Sequence, residues 1–272
     1  MTDPRTTPLR IDPLAPAPQH GRWRTEAMRS HATARLLFFT RGQGRITVAG
    51  LTSGYGPNNL VFVPAHTMYG YEAGPTVQGH MIAIPEAMAG DWPEEHVHLR
   101  LRDVHAQKDI AARVEQLERE LTSDRTGHSR AAHHYLGILA IAFERHVETR
   151  APEAGDDRAD TAPARLVAAY TDLVERDFRS GKGVAGFARD LGVTATHLTR
   201  CCNRTCGRSA LAILNDRILY EARTLLRDSS TPIKDIASGL GFGSAAYFAR
   251  SFHARTGATP TDFRRLGPLR PH

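Results

Sequence analysis

The 272-residue chain has only three cysteines and no long hydrophobic run. All three cysteines fall within residues 201–206, so the first two hundred residues contain none. A disulfide framework needs cysteines spread along the chain, and a thiol nucleophile or a methyl-accepting group in the N-terminal half would need a cysteine there. The composition therefore argues against these chemistries in that half.

No segment is apolar enough or long enough to span a membrane. The first twenty residues also lack the continuous apolar stretch of a signal peptide. With 41% hydrophobic residues and room for two domains, the sequence predicts a cytoplasmic protein with no membrane partner.

The charge is unevenly distributed along the chain. Residues 1–162 carry 18 Lys and Arg against 20 Asp and Glu, whereas residues 163–272 carry 17 against 9. A basic C-terminal region suits phosphate binding, although surplus arginine is also common on an ordinary solvated helical surface.

The same pattern of apolar residues at helical spacing occurs twice in this basic region, over residues 184–202 and 233–252. The small residues Ala188 and Ala237 allow two helices to approach closely, and Gly192 and Gly241 stand where a chain leaves a helix with positive φ. The pattern therefore predicts two helix-turn-helix units, with one residue inserted in the second, exposed turn. Matching positions are offset by 49 residues before the turn (Phe187, Ala188, Leu191, Gly192 with Ile236, Ala237, Leu240, Gly241) and by 50 after it (Leu198, Arg200, Cys202, Gly207 with Phe248, Arg250, Phe252, Gly257).

A helix between the two copies is expected to hold them rigidly apart. Ser209 is a suitable N-cap residue for it. Its buried stripe is predicted from helical spacing as Leu211, Leu214, Ile218, Ala222, Leu225 and Leu226.

The second copy carries a specific motif: Ile233-x-x-Ile236-Ala237-x-x-x-Gly241-Phe242-x-x-x-x-Tyr247-Phe248-x-Arg250-x-Phe252, then Gly257-x-Thr259-Pro260-x-x-Phe263-Arg264. This motif resembles the signature of the AraC/XylS (arabinose-regulator) family, and the resemblance covers residues 163–267. It implies a double helix-turn-helix domain that binds double-stranded DNA, in a transcription regulator that usually activates and contacts RNA polymerase. Departures from the family pattern are Cys202 and Asn203 in place of Phe-Lys, Ala210 in place of Pro, and His253 in place of Lys.

The exposed face of the second helix of each unit is expected to enter the major groove. Arg200 and Arg250 suit a guanine edge or a phosphate, and the alternative for Arg250 is an internal ion pair. His197 suits a phosphate contact or is simply a solvated residue, and Ala245 and Ala246 offer only methyl contacts. The resemblance places the candidate DNA-binding residues at Thr196, His197, Thr199 and Arg200 in the first copy and Ser244, Ala245, Ala246 and Arg250 in the second.

The N-terminal half has the short, β-prone runs typical of a small β-barrel, so the fold class is expected to be α+β. Residues 1–20 contain five prolines and are predicted to form a flexible arm. Short β-prone runs between Arg35 and Pro85 are separated by Gly, Pro and Asn clusters. Residues 21–104 resemble the cupin-like sensor domain common in this regulator family, which implies that a small-molecule effector binds there.

The polar candidates for an effector site are His31, Arg35, His66, Tyr69 and His80, among apolar walls. Arg35 suits a carboxylate or a phosphate, and the alternative places it on the outer face of the barrel. A metal-bearing cupin needs a cluster of histidines and a carboxylate, whereas here His31 stands alone and Arg35 occupies the place of the glutamate. The sequence predicts no metal, no cofactor and no catalytic residue.

Helical spacing over residues 105–149 predicts an antiparallel hairpin. In the family such helices pair two subunits, which implies a homodimer; from spacing alone they pack equally well on the barrel. Residues 150–162 are rich in Ala, Asp, Gly and Pro and are interpreted as an interdomain linker.

Two alternatives to an effector-controlled regulator follow from the same residues. Cys201, Cys202 and Cys206 lie near arginines and are compatible with a redox or electrophile sensor, whereas the competing interpretation is that Cys201 and Cys202 fill the helix-turn-helix core and Cys206 is incidental. A cupin enzyme fused to a DNA-binding domain would need a complete metal set or a nucleophilic site, and the N-terminal half has neither.

Overall fold

A computed structural model describes residues 8–15, 22–150 and 161–266. It confirms the α+β class, because a β-rich N-terminal part is followed by a helical hairpin and then by helices alone. The strands are β1 Arg10–Leu14, β2 Arg35–Arg41, β3 Gly44–Val48, β4 Leu51–Tyr55, β5 Asn59–Val63, β6 Tyr69–Tyr71, β7 Gln78–Ala83 and β8 Val97–Arg100, with a short helix α1 at Trp23–Glu26 and a 3₁₀ turn at Glu86–Asp91.

The strands form two antiparallel sheets, with strand orders β1-β7-β2-β5-β8 and β4-β3-β6. On β2, Leu37 and Phe39 face the three-stranded sheet, while Leu36 and Phe38 face away from it. Both faces of the five-stranded sheet are therefore covered, and this explains why β2 and β5 are continuous apolar runs rather than alternating ones.

The prediction of a flexible arm over residues 1–20 is wrong for Arg10–Leu14. This segment is strand β1, which pairs with β7 so that Pro13 lies opposite His80. An edge strand tolerates proline, because an amide hydrogen is not needed on its open side. The other residues of the predicted arm lie outside the described residues, apart from 8, 9 and 15.

The predicted hairpin consists of α2 at Val104–Leu121 and α3 at His128–Glu148. The Asp103 carboxylate caps α2 by accepting from the Ala106 amide at 2.8 Å. The apolar stripes of both helices are buried against the outer face of the five-stranded sheet. These stripes therefore pack on the barrel, while Ile138 and Ile141 of α3 remain exposed. Most of the expected linker lies outside the described residues.

The C-terminal part is all helical. Its core is filled by aromatic and aliphatic side chains from both copies of the repeat, including Phe187, Leu198, Phe248 and Phe252. None of the helices in the described ranges has the length and apolarity needed to cross a membrane. The helices are α4 Ala162–Asp177, α5 Val184–Asp190, α6 Ala195–Cys206, α7 Ala210–Asp228, α8 Ile233–Gly239, α9 Ala245–Thr256 and α10 Pro260–Arg265.

Helix α7 joins the two copies as expected, and Ser209 caps it by accepting from the Ala212 amide at 3.1 Å. Its predicted stripe is wrong at Leu211, which is 53% exposed. The buried face instead starts from Ala210 and continues through Ile213 and Leu214 at helical spacing, so Leu211 falls outside it.

Candidate nucleic-acid interface and sensor site

The two helix-turn-helix units have matching local geometry. Gly192 and Gly241 adopt φ values of +68° and +78° in the turns after α5 and α8, as their positions predict. The second helix of each unit is capped in the same way: Thr194 accepts from the His197 amide and Ser244 accepts from the Tyr247 amide, both at 3.2 Å. Ser244 thus has a structural role as the cap of α9.

A backbone contact fixes the position of one unit relative to the other. The turn glycine Gly241 lies directly against the segment Arg179–Gly181, which precedes the first unit. A Cβ atom at Gly241 would overlap the Gly181 nitrogen and lie 2.7 Å from the Arg179 carbonyl oxygen. The equivalent position at Gly192 is open, so this close approach belongs to the second turn alone.

A buried ion-pair cluster reinforces the same junction. The Arg217 guanidinium of α7 donates to Glu175 of α4 at 2.6 Å and to Glu221 at 2.9 Å, and it stacks over the Phe178 ring at 4.0 Å. Although burial opposes it, the Arg217 contact holds the pKa of Glu221 below its usual value. The cluster therefore ties α4 to α7 through charges that have little access to water.

The face of α6 that is expected to meet DNA is open to solvent. Thr196 and Arg200 are exposed, and His197 and Thr199 are half-buried. The Arg200 guanidinium lies 3.0 Å from the His197 Nδ1 atom, so the imidazole orients the arginine side chain.

The corresponding face of α9 is also open. Arg250 and Ala246 are exposed and Ala245 is half-buried. Within the described residues Arg250 has no ion pair, so the internal ion-pair interpretation lacks support. Tyr247 is 57% exposed beside these residues. Tyr247 could not be singled out from the sequence, because an aromatic residue next to Phe248 fits the family motif without any further role.

All three cysteines face the core of the first unit. Burial raises the pKa of the Cys202 thiol to about 12 and also raises the pKa of Cys206. These two thiols stay protonated at neutral pH, which agrees with a packing role and not with a reactive thiolate. Cys206 is therefore a core residue rather than an incidental one. Cys201 lies 3.6 Å from the His197 Nε2 atom.

Arg35 of β2 points into the space between the two sheets. Its neighbours on the same face of the sheet are Leu37 and Val63, both in the cluster between the sheets. The residue is 6% exposed, and the alternative of an outer, solvated position is wrong. Tyr69 of β6 is fully buried on the facing sheet, and the His31 ring lies 5.8 Å from the Tyr69 ring.

His66 and His80 lie outside this space, which corrects the expectation that they line the barrel interior. His66 is exposed in a turn with a φ of +59°. His80 pairs with Phe38 and shares its face, so its Nδ1 atom lies 3.8 Å from the Glu118 carboxylate of α2. The pairing of β2 with β7 also shifts register between Phe39 and Arg41, and no residue pattern in the sequence indicates this irregularity.

Two polar atoms between the sheets have no hydrogen-bond partner. They are the Nε of Arg35 and the Nε2 of His31, and both are buried. Burial and the nearby Arg35 and Arg29 guanidinium groups lower the pKa of His31 well below its usual value, so the imidazole is neutral at neutral pH. In the described parts of the chain, no three or more His, Cys, Asp or Glu residues are placed to hold a metal ion.

The sensor part contacts the C-terminal part next to these atoms. The Arg29 guanidinium lies 4.4 Å from the Tyr69 ring centre and 5.9 Å from the Tyr220 ring centre of α7. Trp23 of α1 packs against Tyr220 at 5.6 Å and against Phe263 of α10 at 6.2 Å. Sequence patterns could not indicate this contact, because the partners are more than 190 residues apart and one of each pair belongs to the sensor part and the other to the C-terminal part.

Two family models match successive parts of the chain. A model described as an AraC-like ligand binding domain matches residues 15–137, and one described as a helix-turn-helix domain matches residues 187–266. Their order along the chain is the order of the β-rich and helical parts in the fold.

Similar proteins include two curated regulators. The virulence regulon transcriptional activator VirF of Yersinia enterocolitica is 32% identical over 92 residues, which are 34% of this chain and 34% of VirF. The arabinose operon regulatory protein of Escherichia coli is 30% identical over 81 residues, which are 30% of this chain and 28% of that protein. The chain thus spans about a third of the length of the curated relatives it matches.

Solved structures with a similar chain include an apo form of a ToxT variant from Vibrio cholerae. It is 12% identical, covers 95% of this chain and 96% of its own, and has a TM-score of 0.44. The two family models, together with the duplicated helix-turn-helix units, show that the chain belongs to the AraC/XylS family.

Proposed function

We propose that this protein is a transcription regulator that binds DNA in a sequence-specific manner and is controlled by a small molecule bound in its N-terminal barrel. One observation carries the proposal: two helix-turn-helix units with the same turn and cap geometry each present an exposed arginine, Arg200 and Arg250, at the same position. An enzyme would not need this duplicated arrangement.

The two readers, α6 and α9, enter successive major grooves on one face of the duplex, about one helical turn apart. Arg200 and Arg250 each bind a guanine edge through two hydrogen bonds or clamp a phosphate. Thr196 and Thr199 add hydrogen bonds in the first half-site, while Ala245 and Ala246 offer methyl contacts in the second. The second reader is therefore the less discriminating of the two.

Control by an effector is supported by the unpartnered buried atoms of His31 and Arg35 and by the contact of the sensor residue Arg29 with Tyr220 of α7. Activation of transcription is supported by the name of VirF, a virulence regulon transcriptional activator, and a contact with RNA polymerase is proposed only as what the family resemblance implies. A homodimer is supported by the exposed face of α3 that carries Ile138 and Ile141. The thiol-sensor alternative has weaker support, because burial raises the pKa of Cys202 and Cys206.

Selection of binding sites from random DNA with the purified chain tests the proposal. We expect enriched half-sites spaced by about one helical turn. On the selected site, Arg200→Ala should weaken binding by about 1–3 kcal/mol and relax the preference at one base pair. Arg119→Ala, an exposed arginine of α2, is the matched control and should leave binding unchanged.

An absence of any enriched sequence, or equal effects of Arg200→Ala and Arg119→Ala, would contradict the proposal. Selection in the presence and absence of dithiothreitol separates the thiol alternative, since an effector-controlled reader should enrich the same sites in both conditions.

A further inference from the structure

The hairpin of strands β3 and β4 in the sensor packs against the helix that precedes the first reading unit. Ala49 and Gly50, which join the two strands, adopt φ values of +47° and +75°, as a tight two-residue hairpin turn requires. Gly50 is buried, and a Cβ atom at this position would lie only 2.3 Å from the Val167 Cγ1 atom of α4. The tip of the hairpin is therefore in direct contact with α4.

Helix α4 in turn supports the first reader, α6. Val167 and Tyr170 of α4 share a buried core with Leu198 and Cys202 of α6. The Tyr170 hydroxyl also donates to the Ala210 carbonyl oxygen at 2.7 Å, at the start of α7. Because a close-packed interior has few voids, it transmits a displacement of α4 to α6.

A second set of contacts reaches the C-terminal end of the first reader. The Thr52 hydroxyl of β4 lies 3.5 Å from the Cys206 carbonyl oxygen and 2.6 Å from the Thr47 hydroxyl of β3. The last carbonyl groups of a helix have no partner within the helix, so a hydroxyl placed there satisfies one of them. Two residues further, the Arg208 guanidinium donates to the Glu26 carbonyl oxygen of α1 at 3.0 Å.

These contacts leave the expected DNA-binding face of the first reader open. Thr196 and Arg200 are exposed and lie in the first two turns of α6, whereas the sensor contacts its last turn. The second unit is placed differently, because its turn at Gly241 lies against Arg179–Gly181 of the C-terminal part itself. The hairpin is therefore suited to fix the direction of α6 without covering Thr196 or Arg200.

We propose that Gly50 and Thr52 of the sensor are positioning residues for DNA binding, which hold the first reader in its binding orientation while the second reader is placed without them. A reader that is already held in this orientation loses less conformational freedom when it binds, so its half-site is bound more tightly. This inference rests on the proposed DNA-binding function.

The test compares binding of the full chain to three duplexes. They are the selected site, the same site with the half-site of the first reader scrambled, and the same site with the other half-site scrambled. The half-site of the first reader is the one whose protection Arg200→Ala weakens. Melting temperatures are measured in parallel, because a partly folded variant would lose affinity equally for all three duplexes.

Gly50→Ala introduces the overlap with Val167 and should displace the hairpin from α4. We expect roughly tenfold weaker binding to the selected site, and the same loss when the half-site of the second reader is scrambled. Scrambling the half-site of the first reader should abolish the difference. Gly127→Ala is the matched control, because Gly127 has a φ of +83° but a Cβ atom there meets only the end of the Arg130 side chain, at 3.9 Å.

Thr52→Val keeps the shape of the side chain and removes its hydroxyl. It should weaken binding that involves the first half-site roughly twofold to tenfold, the range for an ordinary hydrogen bond, and Thr52→Ser should restore it. Thr122→Val is the control, because the Thr122 hydroxyl also donates to a carbonyl near a helix end, that of Glu118 at 3.0 Å, but in α2. If Gly50→Ala does not fold, the three threonine variants decide.

The proposal is overturned if Gly50→Ala and Thr52→Val bind like their controls, or if they lose affinity equally for all three duplexes. Tighter binding by these variants would also overturn it, because the hairpin would then restrain the reader and not prepare it. A native chain that selects a DNA site while the variants match their controls keeps the proposed function and refutes only the positioning role. A native chain that selects no site refutes the proposed function itself.

Discussion

The contact between Gly241 and the segment before the first reader leads to a quantitative prediction for Gly241→Ala. The residue adopts a φ of +78°, where a Cβ atom costs about 1–2 kcal/mol. That Cβ would also overlap the Gly181 nitrogen and crowd the Arg179 carbonyl oxygen. Because both neighbours are backbone atoms, relief requires the segment to move, which adds about 1–3 kcal/mol as in other overpacked sites. We expect a total loss of about 2–5 kcal/mol.

Gly192→Ala is the matched control for this prediction. Gly192 occupies the same position in the first unit with a φ of +68°, but a Cβ atom there meets no other atom within 4 Å. Its loss should be limited to the conformational cost of about 1–2 kcal/mol. Urea unfolding followed by far-ultraviolet circular dichroism measures both variants. Equal losses for the two glycines would refute the reasoning that the second turn abuts the first unit.

Three further predictions concern charge and titration. Arg217→Met should destabilise the fold by about 3–5 kcal/mol in urea unfolding, because Glu175 is left largely buried without a cation and Glu221 keeps only the exposed Arg179, whereas Arg176→Met at an exposed pair should leave the unfolding midpoint almost unchanged; similar losses would contradict this. Burial, together with Arg100 and Arg150, lowers the pKa of His98 to about 4, so the unfolded chain binds a proton at this residue more readily than the folded chain does. The stability contributed by neutral His98 is complete above its unfolded pKa of about 6.5, amounts to at most about 3 kcal/mol, and should be lost as the pH falls towards 4. His98→Asn should therefore flatten the acid side of the profile of stability against pH. An unchanged slope in His98→Asn would show that other groups cause the acid sensitivity. Burial raises the pKa of Cys202 to about 12 and also raises the pKa of Cys206, so iodoacetamide at neutral pH should modify these two cysteines only after the chain unfolds. Mass spectrometry measures the modification, and rapid modification of the native chain would favour the thiol sensor.

The C-terminal part was predictable from the sequence because its determinants are local. Positive φ at Gly192 and Gly241 and the cap at Ser209 depend on residues only a few positions apart. The error at Leu211 has the same origin: helical spacing identified the helix but not which neighbouring stripe faces the core.

The sensor part was predictable only in outline because its determinants are distant in sequence. Strand β1 exists through its pairing with β7, which starts more than sixty residues later, and five prolines in the first twenty residues concealed it. Alternation along a strand indicates which residues share a face but not which face is inside, so Arg35 and His80 could not be separated. Arg29 was missed altogether, because its importance comes from Tyr220 in α7.

The central claim is that two matching readers in one subunit contact DNA about one helical turn apart. Hydroxyl-radical footprinting of the selected site with the native chain, Arg200→Ala and Arg250→Ala measures this most directly. The account predicts two protected patches on one face of the duplex, with the first weakened by Arg200→Ala and the second by Arg250→Ala. A single protected patch, or two patches that both variants weaken equally, would contradict it.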